Sequence, residues 1–158
     1  MTYKCEFFDV RELLPPSLGR SVKPDNEHRF WGMFDDRLLR VIDDIRREFG
    51  PMFVNTWSLD ATIQRAYTLR LESGLRIMGQ KNFSVMSQHA YGRAIDAVFQ
   101  DVHVDEVREF IFAHHRKFSA IKGIELDVSH LHIDTRNYSG GLLAFTPSGA
   151  SVDAAMIS

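Results

Sequence analysis

The run Ala94-Ile95-Asp96-Ala97-Val98-Phe99 is apolar except at one position, and that exception constrains the chain more than any other feature. Its pattern reads as a strand, and a carboxylate inside such a strand is costly to bury unless something compensates its charge. The sequence offers imidazoles for the task. His89 stands seven residues before Asp96, with Gly92 between them. His130 and His132 fall on the same face of the extended stretch Ser129-His130-Leu131-His132-Ile133-Asp134, because side chains alternate along a strand. Two imidazoles and one carboxylate form a standard ligand set for catalytic zinc, with a fourth position left for water. The spacing leaves a second reading open, a buried Asp96 paired with one of the nearby arginines.

The rest of the composition narrows the class. A chain of 158 residues, 44% hydrophobic and 25% charged, fits one soluble domain over 1–158 with a core of its own. Nineteen basic against 21 acidic residues give a formal charge of −2, which argues against a nucleic-acid partner. The single cysteine, Cys5, excludes an intrachain disulfide and a zinc site built from several thiolates. No apolar run approaches transmembrane length, and no secretory signal follows the first residues, so membrane insertion is not expected. Of seven histidines, His28, His103, His114 and His115 read as solvated or capping groups.

The periodicity predicts an α+β fold. Residues 1–36 are irregular, with a short helix before Pro15-Pro16. Leu38, Val41, Ile42, Ile45 and Phe49 recur at helical spacing up to Gly50-Pro51. Strands are predicted over 52–57, 94–99, 123–128 and 131–134, and a second helix over 104–118. Residues 58–88 read as a long loop with one helical turn, and 140–158 as a weakly patterned tail.

Two stretches carry a family resemblance. "SQHAYGRAID", residues 87–96, resembles the Ser-x-His-x-x-Gly-x-Ala-x-Asp signature of zinc D-alanyl-D-alanine carboxypeptidases. "HLHIDTR", residues 130–136, resembles their second motif. The same pair occurs in the hedgehog signalling domain and in phage L-alanyl-D-glutamate endolysins. "ELLPP", "REFGPMFVNTW" and "ESGLR" are similar to short phage-borne members, so the likeness spans roughly residues 7–137 and leaves 138–158 unaccounted for.

The resemblance implies a hedgehog/D-Ala-D-Ala-peptidase-like fold, a small and mainly antiparallel sheet with flanking helices and a zinc site on the sheet. It makes His89, Asp96 and His132 the ligands of one Zn²⁺. Arg76 would face the scissile carbonyl or the substrate carboxylate, and His130 would stand beside the metal. The family's general base commonly lies three residues before the second histidine, where this chain has Ser129. Glu125 and Asp127 are then the available carboxylates, and "GIE" favours Glu125. Ser87 and Gln88 would orient His89, and Trp57 and Tyr91 would line a groove. The activity implied is hydrolysis of a D-Ala-D-Ala or L-Ala-D-Glu bond in peptidoglycan stem peptides by a phage- or prophage-encoded protein, whose oligomeric state the sequence leaves open, with a monomer as the default. Such a protein is made in the cytoplasm and reaches the wall by release or within a virion. The alternative is a catalytically silent zinc module of the same fold, favoured by Ser129.

Overall fold

The computed structural model describes residues 2–154. Asp9 opens a tight turn over Val10–Leu13 through a capping box, accepting from the Arg11 N–H while Glu12 reaches back to the Asp9 N–H. Pro15-Pro16 ends that turn, yet Pro16 also begins a one-turn helix, α1 (Pro16–Gly19), as proline can at a first helical position. Helix α2 spans Glu27–Trp31. The predicted amphipathic helix is α3, Asp36–Phe49, capped by Asp35 and ended by Gly50 at φ 80°. It buries Leu38, Leu39, Val41, Ile42 and Ile45.

The chain then makes only a two-residue strand, β1 (Met52–Phe53), where the sequence predicts six. Beyond Phe53 the backbone leaves the sheet for other partners: Asn55 N–H donates to the Glu12 carbonyl, and Thr56 pairs with Arg70. Residues 58–88 hold more helix than their composition predicts. Asp60 caps α4 (Ala61–Tyr67), two turns with no buried residue, so no apolar period announces it. Strand β2 (Ala94–Phe99) matches its prediction. Helix α5 (Val104–Ala113) stops before the predicted end because His114 leaves the helical conformation and caps it.

Strands β3 (Gly123–Glu125) and β4 (Leu131–Asp134) pair antiparallel, and β5 (Leu143–Phe145) and β6 (Ser151–Asp153) follow. The last two correct the reading of a patternless tail: both add to the sheet, while Ala155–Ser158 lie outside the described residues. Strands of three residues, partly exposed, carry too little alternation to be seen in sequence.

The result is an α+β fold around a six-stranded, mostly antiparallel open sheet, ordered β1-β2-β4-β3-β5-β6, in which only β3 and β5 run parallel. Apolar residues from Cys5 to Ala144 join in one core cluster. Among the described residues no helix is long and apolar enough to cross a membrane.

Candidate metal centre

Antiparallel pairing of β2 with β4 sets Asp96 directly opposite His132. Opposed residues share a face, so the carboxylate of the first motif and the last histidine of the second meet on the sheet surface. His89 comes from the turn just before β2, and its motif neighbours explain how it arrives there. Ser87 caps that turn by accepting the His89 N–H. Gly92 closes it at φ 64°, and a β-carbon there would run into the Met33 carbonyl, so two constraints demand glycine. Ala94 is fully buried.

The loop Ser73-Gly74 ties both ligand-bearing segments together. Ser73 carbonyl accepts from the Asp96 N–H at 2.7 Å, and Gly74 carbonyl faces His89 Nδ1 at 2.8 Å. A carbonyl only accepts, so Nδ1 donates to it and Nε2 is turned toward Asp96. Nε2 lies 3.3 Å from Asp96 Oδ1. On the other side His132 Nδ1 lies 2.8 Å from the same oxygen, and His132 Nε2 donates to Asp134 Oδ2 at 3.1 Å. Asp134 is fully buried and held by Arg136. The three donor atoms of His89, Asp96 and His132 all fall within 4.8 Å of one another, and all three residues are buried. This group can hold a metal ion.

Electrostatics around the group follow from burial and pairing. Burial alone would push the Asp96 carboxyl up, but the hydrogen bonds and charges of His132 and His89 hold it well below the usual carboxylate range. Burial likewise works against a charged His132, yet Asp134 and Asp96 together raise it to about 9. A metal ion held by His132 would displace one of its protons. Burial opposes the Asp134 charge too, and Arg136 with His132 overcomes it, bringing that group to about 2.

The other residues singled out from sequence divide. His130 is half-buried, with Nε2 3.6 Å from Asp96 Oδ1, and burial pulls its pKa down. Arg76 donates from Nη2 to Asp96 Oδ2 at 2.9 Å and from Nε to the Glu72 carbonyl at 2.7 Å. The arginine pairing open as a second reading of Asp96 is thus real, and it coexists with the histidine cluster on the carboxylate's other oxygen. Glu125 continues the β3–β4 register one step beyond Ile124↔Ile133, abreast of His132, and its charge reaches His130. Asp127 is exposed in the β3–β4 turn at φ 60°, and Ser129 is exposed as well.

A groove of about 500 Å³ opens over the cluster, lined among others by Arg70, Glu72, Arg76, Asp96 and His130. Trp57 and Tyr91 line other surfaces. Trp57 donates to the Leu14 carbonyl and packs on Gly19, while Tyr91 donates to the Val85 carbonyl. His103 and His114 cap the two ends of α5, as their positions predict. The Gln88 side-chain oxygen is buried without a hydrogen-bond partner.

Sequence reasoning missed Asp134, Arg136 and Arg108. Asp134 was legible: two residues past His132 on one strand, it shares that residue's face. Arg108 was not, because it reaches across from α5 to the Glu125, Val128 and His130 carbonyls and so fastens the loop before β4. No family model, curated protein or solved structure matches this chain.

Proposed function

We propose that the protein is a zinc metallopeptidase that hydrolyses peptide bonds in peptidoglycan stem peptides, of the hedgehog/D-Ala-D-Ala-peptidase-like fold that its two motifs resemble. One observation carries the reading. Two motifs far apart in sequence converge on a single buried donor set whose outward nitrogens are already satisfied, His89 by the Gly74 carbonyl and His132 by Asp134. Such outer partners fix the tautomer and aim of metal-binding histidines. The donor set fits zinc in chemistry and scale. Tetrahedral bonds of about 2.0–2.1 Å put ligand atoms roughly 3.3 Å apart; Asp96 Oδ1 stands 3.3 Å from His89 Nε2 and 2.8 Å from His132 Nδ1.

When bound, zinc supplies a Lewis acid that polarises the scissile carbonyl and makes water a nucleophile near neutral pH. The chain's own residues do the rest. Glu125, beside His132 in the sheet, takes the proton from the attacking water and delivers it to the leaving amine. His130, neutral because burial pulls its pKa down, hydrogen-bonds the developing oxyanion or the leaving group through Nε2. Arg76 holds Asp96 in one orientation through Oδ2 and keeps its remaining nitrogen for the substrate carbonyl.

The test is digestion of purified peptidoglycan with and without chelator, followed by mass spectrometry of the muropeptides. New termini at D-Ala-D-Ala or L-Ala-D-Glu bonds, lost with chelator and restored by zinc, are the expected result. A protein that holds zinc and releases nothing is instead the silent module to which the exposed Ser129 points.

A further inference from the structure

Two guanidinium groups line the groove, and their surroundings differ. Arg76 is committed to Asp96 and to the Glu72 carbonyl. Arg70 has no acidic side chain within ion-pair reach among the described residues. Its Nε donates to the Val54 carbonyl at 3.0 Å, and Nη2 is only 3.5 Å from the Asp96 carbonyl, the outer limit of a hydrogen bond. The residue is nevertheless pinned. Its N–H donates to Thr56 Oγ1 at 2.8 Å, its carbonyl accepts from the Thr56 N–H at 3.0 Å, and Thr56 is itself fully buried.

A preorganised, half-buried guanidinium that lines the groove and is ion-paired to neither of its carboxylates, Glu72 and Asp96, is a site for one supplied by a ligand. Arg70 and His130 line the same groove.

We propose that Arg70 is the carboxylate anchor of the groove, binding the free α-carboxylate of the residue that departs as the amine. The identity of this ligand rests on the peptidase reading above. Both candidate bonds supply the same group: the second D-Ala ends in a carboxylate, and D-Glu linked through its γ-carboxyl keeps its α-carboxylate free. A single anchor beside the metal then reads the feature the two bonds share.

The test uses ligands that cannot be hydrolysed, the dipeptide isosteres of D-Ala-D-Ala and L-Ala-D-Glu in which CH₂–NH replaces the amide. Each is compared with its α-carboxamide, and binding is followed by NMR titration of the protein as purified. Wild type should prefer acid to amide by about tenfold or more, the worth of one charged hydrogen-bonded pair. Arg70→Gln should bind both alike, and Arg70→Lys should recover part of the preference. Melting curves identify variants that fail to fold, and if Arg70→Gln is one of them the comparison passes to Arg70→Lys, whose preference must then fall below wild type. A preference that survives loss of the Arg70 guanidinium, or that wild type lacks for both pairs, overturns the proposal. Hydrolysis of peptidoglycan is scored separately. Acid preference without cleavage ends the peptidase reading and keeps the anchor, whereas cleavage without preference ends the anchor and keeps the peptidase.

Discussion

Asp43 and Asp96 are both almost completely buried aspartates, and the groups that surround them are of different kinds. Asp43, on α3, accepts from the Tyr3 hydroxyl at 2.7 Å and from the N–H groups of Glu6 and Phe7 at 2.7 and 3.2 Å. The bond to Asp43, aided by burial, pushes the Tyr3 phenol up to about 12. These donors keep their protons throughout the accessible pH range, so Asp43 works as a fastener that holds the N-terminal segment to α3. Asp96 meets three imidazoles and one guanidinium instead. Imidazoles give up protons and bind metals near neutral pH. The partners of a buried carboxylate, more than its burial, distinguish a structural bolt from a group that can hold a metal ion.

The largest effect should come from the Asp96 cluster. His132→Ala or Asp96→Ala removes a ligand, and zinc affinity should fall by more than the ~100-fold that losing an outer partner brings. Elemental analysis of the purified variants should find no retained zinc, and muropeptide release should stop. Glu125→Gln should keep its zinc and lower kcat by about 10²–10⁴, the range for a lost general base. Asp127→Asn should leave kcat near wild type. If the two variants behave the other way round, the exposed turn and not the sheet carries the base.

Asp43→Ala should destabilise the fold by about 2–4 kcal/mol in denaturant titration, because it orphans two backbone donors. Its zinc content should be unchanged; a variant that folds but has lost its metal breaks the contrast between the two aspartates. Asp134→Asn should weaken zinc binding by ~10–100-fold through loss of the His132 support, measured by competition with a chromophoric chelator.

The smallest effect concerns a third buried carboxylate. Glu12 has one hydrogen bond, from the Asp9 N–H, and burial raises its pKa from 4.5 to about 7 despite that bond and the Arg46 charge. Its folded pKa lies above the unfolded value. The stability it contributes is therefore fully present below pH 4.5 and lost as pH rises through about 7. Glu12→Gln keeps the capping-box acceptor and removes the titration. Its stability relative to wild type should rise by ~1–3 kcal/mol between those limits, as read from melting curves across pH. A wild-type curve no steeper than that of the variant would mean that Glu12 is ionised in the fold.

Much of this was legible in local sequence. The period of α3, with Gly50 after it, and the apolar run of β2 appear where the pattern puts them, because one helix face and one strand must each be buried. The elements missed share a cause. Helix α4 buries nothing, and β5 and β6 are strands of only three residues, so their formation depends on neighbours that supply hydrogen bonds and not on a period of their own.

For the site the division is similar. An apolar strand interrupted by Asp96, and alternation that aligns His130 with His132, follow from sequence because strand geometry has a period of two. That His89, Asp96 and His132 meet at one point was decided by long-range pairing, β2 against β4 and the Ser73-Gly74 loop against both ligand segments. The same pairing gave Arg76 to Asp96 and left Arg70 without an ion pair among the described residues, though both arginines lie in one short stretch of sequence. Local composition states what chemistry a chain carries. Which donor finds which acceptor is settled only when residues distant in sequence close on one another, since a hydrogen bond or an ion pair depends on ångström-scale distances that spacing along the chain does not encode.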